Sequence, residues 1–400
     1  MDPIRNPYAP GAGTSPLELA GRDDVLANAK ITLERLKIGR AGRSQLMLGP
    51  RGVGKTVLLN KVFHAAETSQ YFTILSEAPE SGNFLQRVLP DLKRIHLQLS
   101  TVDSVKDKLT NAWVATRNLA AAFKLSYEGF EFGVTQPGLA QSGDFETDFA
   151  EVMRLTLLAA QSAGRQIAFF VDEVQYLSKE ELTALVVCCH DANQRGLPFV
   201  LFGAGLPQIA KLAGDAKSYS ERLFEFPEIG ALGNTEGRRA LAKPAESEGV
   251  EFTEDAIALI LRQSETYPYF IQEWGHHVWN AAKQSPIDAQ TVRDCYDTII
   301  AHLDQSFFRV RFDRCKPVQQ KYLRAMAELG PGPHQTGDIA RVLQCAPSQV
   351  ATTRQQLINL GMIWSLRHGE TAFTVPLFDE FMKRQMPDVV PHTPKARKKS

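Results

Sequence analysis

The chain has 400 residues, 44% of them hydrophobic, with 45 Lys and Arg against 45 Asp and Glu, a globular composition rather than a disordered or fibrous one. That length exceeds what one ordinary core holds and points to two or three domains. No apolar run reaches the roughly 18 residues of a membrane helix, Met1–Pro7 lacks the apolar stretch of a secretory signal, and five scattered cysteines suit neither a disulfide framework nor a zinc site. A cytoplasmic protein without membrane contact is expected. The neutral balance hides an asymmetry. Residues 301–400 hold 15 Lys and Arg against 8 Asp and Glu, so the first 300 hold 30 against 37. A basic end on an acidic body suits an anionic partner.

Taken in order, Ser44–Leu48 reads as a short buried strand, and Val57–Phe63 has apolar residues at helical spacing. Between them stand Gly49, Pro50, Arg51, Gly52, Val53, Gly54, Lys55 and Thr56, followed by Val57. This is the G-x-x-x-x-G-K-T phosphate loop in its strand–loop–helix setting. The glycines let successive N–H groups converge on phosphate oxygens, and the helix N-terminus faces the same anion. Lys55 neutralises the β- and γ-phosphates of ATP, and the Thr56 hydroxyl can ligate Mg²⁺.

Residues 78–148 read as an insertion, helical at first. Phe123–Val134 alternates around Gly129 as a hairpin. With one lysine and two glutamates it favours partner contact or packing over DNA. Gln166–Val171 is a continuous apolar strand of the parallel-sheet kind, ending in Asp172 and Glu173. These acids either cap the next helix or complete the phosphate site. In the second case Asp172 holds Mg²⁺ through water, and Glu173 orients or deprotonates the attacking water. Adjacent Cys188 and Cys189 read as core, and Pro198–Phe202 as a further strand.

These motifs, in this order, resemble the AAA+ superfamily, and within it the branch of origin-recognition-type replication initiators, archaeal-type ATPases and STAND signalling NTPases. The likeness covers most of the chain. It implies a P-loop NTPase fold of the α/β class, a parallel sheet with helices on both faces, followed by a helical lid and a C-terminal winged helix. Leu19–Leu26 is similar to the segment that opens such modules near the adenine. Asn6–Gly11 then either lines the base pocket or forms a surface arm. The strand that carries a polar sensor in many members ends here in Gly203-Ala204-Gly205. Arg222 stands where the family can offer an arginine to a neighbouring subunit's γ-phosphate; a surface ion pair is the plainer reading. In the lid, Pro268 matches a proline that presses on the nucleotide, but the arginine often found nearby is missing.

Four regions are expected: the nucleotide domain over 1–228, the lid over 229–303, the winged helix over 304–388 and a basic tail over 389–400. In the third, helices over Gln319–Leu329, from Thr336 through Val342 and over Ser348–Leu360 precede strands at Met362–Leu366 and Thr371–Val375. Ser348, Gln349, Thr352, Thr353, Arg354 and Gln356 offer groups for phosphates and base edges, and Arg367 and His368 crown the wing. The expectation is a slow ATPase with ATP and Mg²⁺ as cofactors and ADP as product. It couples nucleotide state to DNA through the winged helix and basic tail, in the manner of replication initiators. The alternative is a signalling or defence switch whose winged helix contacts protein, with a homo-oligomer or protein partner.

Overall fold

The computed structural model describes residues 1–11, 13–80, 82–125, 138–365 and 369–388. Most of the expected hairpin, together with Arg367, His368 and the basic tail, lies outside the described residues. The chain forms two compact units. One comprises residues 22–49 and 54–229, the other 1–21, 50–53 and 230–400. No helix among the described residues is long and apolar enough to cross a membrane.

The first unit opens with α1 (Asp23–Lys37), β1 (Ser44–Leu48), α2 (Lys55–Thr68) and β2 (Phe72–Glu77). It continues with α3 (Phe84–Leu99), α4 (Lys106–Ala122), α5 (Phe145–Ser162), β3 (Ile167–Asp172), α6 (Lys179–Arg195) and β4 (Phe199–Gly205). Then follow α7 (Ile209–Ala216), the short α8 (Ser220–Leu223) and β5 (Phe224–Glu225). The five strands are all parallel, in the order β2-β3-β4-β1-β5. Both β1 and β4 are buried along their whole length, as expected of central strands covered on both faces. Since β4 lies between β1 and β3, the C-terminal ends of these three strands meet on one edge, where open α/β sheets bind ligands. Gly49 N–H donates to Gly205 O at 3.1 Å along that edge.

The insertion is helical over α3 and α4, which pack with α5 through Leu92, Ile95, Leu109, Ala112, Phe149 and Val152. Cys188 and Cys189 are buried in α6, and burial pushes both thiols up, Cys189 to about 12. His96 is wholly buried on α3, its Nε2 2.9 Å from Thr156 Oγ1. The Thr156 hydroxyl itself donates to Val152 O, so His96 donates from Nε2 and Nδ1 carries the lone pair. Nδ1 meets no partner, and burial lowers the imidazole to about 3. The unfolded chain, near 6.5, binds the proton that the folded one refuses. This contribution to stability is therefore complete above pH 6.5 and drains as pH falls toward 3, by about 1.4 kcal/mol per pH unit. Urea unfolding at pH 7 and pH 5 should show wild type losing more stability than His96→Gln by that slope; parallel losses would refute it.

In the second unit come α9 (Asn234–Ser247), α10 (Glu254–Gln263), α11 (Pro268–Ala281) and α12 (Ala289–Leu303). Thr253 caps α10 by accepting from Ala256 N–H, ahead of Glu254 and Asp255 in the first turn, the placement that helix ends favour. The N-terminal arm packs here: Tyr8 is buried, its hydroxyl bonded to Leu241 O. A side chain at Gly275 would come within 2.5 Å of the Tyr8 ring, so α11 needs a glycine there.

A π-helical turn (Asp304–Phe308) carries α12 into the short α13 (Arg309–Phe312). Beyond it lie α14 (Pro317–Glu328), β6 (His334–Gln335), α15 (Thr336–Val342), α16 (Pro347–Asn359), β7 (Ile363–Trp364), β8 (Glu370–Phe373) and α17 (Phe378–Gln385). The small sheet is antiparallel, in the order β6-β8-β7. Phe308, Phe378 and Phe381 pack together beneath it, and buried Arg324 secures the chain after α17 by donating to Met386 O and Pro387 O. Thr336 begins α15 rather than capping it, because its hydroxyl donates to Gly369 O.

Candidate nucleotide site

Gly54, at φ 92°, stands just before Lys55, the first residue of α2. That left-handed turn suits glycine and aims the first N–H groups of α2 back along the loop, toward where an anion would lie. Lys55 is buried, as are Val57, 8% exposed, and Val53, 1% exposed.

Across the sheet edge, Thr56 Oγ1 donates to Asp172 Oδ2 at 2.6 Å, and Glu173 N–H donates to Asp172 Oδ1 at 2.8 Å. A hydroxyl and a carboxylate at this separation are the hard oxygen donors that Mg²⁺ takes alongside phosphate. The residues therefore fit the ion. Burial pushes the Asp172 carboxyl above its ordinary value, opposed by the Thr56 and Glu173 bonds and by the charge of Lys55. A cation beside it would return the group to its ionised form.

Glu173 has a left-handed backbone, φ 52°, a conformation that costs a non-glycine residue energy and persists where surroundings enforce it. Its Oε2 accepts from Gln175 Nε2, while Gln175 Oε1 accepts from Leu206 N–H at 3.0 Å. Gln175 thus ties the carboxylate to the end of β4. The strand runs three residues past Phe202, to Gly205, and has no room for the missing polar side chain. A Cβ on Gly205 would fall 2.2 Å from Ile209 Cδ1 and 2.4 Å from Gln175 Oε1, and one on Gly203 2.5 Å from Leu46 Cδ2. Sequence reading missed Gln175; its place two residues after Glu173, facing a strand that ends in glycines, was the available signal.

The loop tip belongs to the second unit. Pro268 is the first residue of α11, and the preceding Tyr267 is buried and donates its hydroxyl to Arg51 O. At Gly52, φ 86°, a Cβ would lie 3.2 Å from the Tyr267 ring and 3.3 Å from Tyr269 Cβ. Arg311 lies against Phe307 at 3.7 Å, and burial, then the nearby charge of Arg51, lowers it to about 10. Such crowding of cations suits an anion.

Thr56, Asp172 and Glu173 are thus joined by direct bonds. Arg222 is exposed on α8, and its side chain makes no hydrogen bond to them among the described residues. On α16, Thr353 is buried rather than presented. Arg354 is not free: it donates to Ser365 Oγ at 2.8 Å and to Glu370 O at 3.2 Å.

A parallel five-stranded sheet with a phosphate loop and an acidic pair on one edge is the P-loop AAA+ fold. Residues 18–202 match the family described as AAA ATPase domain, and residues 305–382 a family described as a domain of unknown function (DUF8462). No curated protein matches the chain by sequence. Among solved structures, a Walker-type ATPase of Pyrococcus abyssi is similar with TM-score 0.52 at 14% identity, over 91% of this chain and 96% of that one. The RuvB Holliday junction branch migration motor of Thermotoga maritima gives TM-score 0.44 at 16% identity, over 94% and 96% of the two chains. The Orc1 protein of Aeropyrum pernix, solved in complex with DNA, gives 0.44 at 16%, over 93% and 94%.

Proposed function

We propose that the chain is a slow ATPase that serves as a nucleotide-state switch. The observation that carries this reading is the tie from Glu173 through Gln175 to Leu206, which holds the water-activating carboxylate beside a strand end without a polar sensor. Lys55 and the loop N–H groups bind the phosphates of ATP. Thr56 and Asp172 would hold Mg²⁺, which would supply neutralisation of the phosphate charge. Glu173 accepts a proton from water as its oxygen bonds to the γ-phosphorus and the bond to ADP breaks. A carboxylate already engaged at Oε2 competes poorly for that proton, so turnover is slow. Arg222 acts in trans if the chain assembles with itself.

The output is assigned to residues 304–388, whose order of helices and antiparallel strands supports a winged helix. With Arg354 bonded to the β7–β8 hairpin, the outer face of α16 offers uncharged groups such as Ser348, Gln349 and Thr352. That chemistry favours protein contact. The excess of 15 basic over 8 acidic residues in the last hundred favours a second reading, attraction to the DNA backbone. Full-length protein should purify with nucleotide bound and turn over slowly; rapid multiple turnover with no retained nucleotide would defeat the switch. The DNA reading requires that a nonspecific duplex at low salt change mobility or ATP turnover, and it ends if neither moves.

A further inference from the structure

Three side chains away from the phosphate loop converge on one point. Glu273 and His277 stand one turn apart on α11, and His302 faces them from the last turn of α12. One donor atom from each lies within 4.8 Å of the others. Glu273 is buried, its side chain 3% exposed, and its Oε2 has no hydrogen-bond partner. Both His277 Nε2 and His302 Nε2 lie 3.7 Å from that oxygen.

The spacing decides between two readings. A protonated imidazole bonded to a carboxylate would close to about 2.7–2.9 Å, and two of them stand off instead. Donors around a four-coordinate ion with bonds of about 2.0–2.1 Å lie about 3.4 Å apart, which a small side-chain adjustment reaches. His276 is otherwise engaged, with Nδ1 near Tyr8 O and Nε2 near Asn280. The remaining carboxylate oxygen, Glu273 Oε1, accepts from the Tyr269 hydroxyl at 2.6 Å, an outer bond of the kind that orients metal ligands.

We propose that Glu273, His277 and His302 bind a divalent transition-metal ion of the zinc type, with water in the fourth position. Two imidazole nitrogens beside one carboxylate select such an ion over Mg²⁺ or Ca²⁺, which take oxygen. The half-exposed His302 leaves an entry path from solvent. The ion fastens α12 to α11, the helix that begins at Pro268. Through Tyr269, whose Cβ borders Gly52 and whose ring stacks on Phe307 at 4.6 Å, it also steadies the segment beside the loop tip.

Titration of the chelator-stripped, nucleotide-free full chain in reductant with Co²⁺, then displacement by Zn²⁺, tests the site. One equivalent of Co²⁺ should give the visible bands of a four-coordinate nitrogen–oxygen site, without the intense ultraviolet band of thiolate ligation. His302→Ala, at an exposed position, and His277→Ala should abolish those bands while circular dichroism stays unchanged. Tyr269→Phe should weaken binding by about ten- to a hundredfold. Asp172→Asn should leave it intact, which separates this site from the Thr56–Asp172 pair. No stoichiometric binding by wild type at micromolar protein overturns the proposal. So does binding that survives both histidine substitutions.

Discussion

Glu173→Gln should bind ATP as wild type does and hydrolyse it about a hundred- to ten-thousandfold more slowly, the span removed with a general base. The amide matches the carboxylate in size, and no phosphate-binding atom is touched, so affinity is expected to hold. Neither the left-handed turn at Glu173 nor the Asp172 bond to its N–H depends on the side chain. The new amide can still meet Gln175 by turning its oxygen toward Gln175 Nε2, which keeps the link to Leu206 N–H. What disappears is the site that accepts the proton from water. Single-turnover hydrolysis measured alongside nucleotide affinity reads the two effects separately. Normal hydrolysis by the variant would remove Glu173 from the chemistry and leave it as the partner that holds Gln175.

How far the fold was legible depended on how local each signal was. The strands Ser44–Leu48 and Ile167–Asp172 were legible because buried parallel strands are continuously apolar. β2 went unread although Phe72-Thr73-Ile74-Leu75 is apolar and β-branched, since its outer residues Leu75 and Glu77 are exposed and blur the buried-strand pattern. β5 is two residues long and exists because Phe224 and Glu225 pair with Ser44 and Gln45, a contact with no local sequence signal. Within the site, the type of each P-loop residue was plain from spacing alone. The Glu173–Gln175–Leu206 tie was not, because it needs β4 to run on to Gly205 beside the turn after β3. The glycines at 203 and 205 looked like the loss of a sensor. The space they leave is filled by Leu46, Ile209 and Gln175. On α16 the expected outer face held for Ser348, Gln349 and Thr352, but Thr353 turns inward and Arg354 is committed to the hairpin that follows it, contacts across chain segments that a helical wheel does not contain.

Lys55→Ala should lower ATP affinity by about ten- to a hundredfold, because one charge-assisted bond contributes about 1.5–3 kcal/mol and each 1.4 kcal/mol is tenfold. Lys55 is 8% exposed at the start of α2, so little water stands ready to replace its ammonium against the phosphates. The loss should be larger for ATP than for ADP if Lys55 serves the γ- as well as the β-phosphate, as proposed. Alanine is the best helix former and α2 begins here, so the fold is retained; circular dichroism checks this. The thermal shift supplies an independent reading. Wild type held at a hundred times its dissociation constant gains about 2.7 kcal/mol from ligand. The variant at the same ATP concentration should gain about 0.4–1.4 kcal/mol if its affinity has dropped as stated. Lys55→Arg separates charge from shape: it keeps the positive charge but presents a planar fork in place of a compact ammonium. If Lys55→Arg binds ATP while Lys55→Ala does not, charge alone accounts for the affinity. If both fail, the buried position of Lys55 at the start of α2 admits only the lysine. If ATP affinity and thermal shift are unchanged in Lys55→Ala, the loop is not the phosphate site, and the roles assigned to Asp172 and Glu173 fall with it.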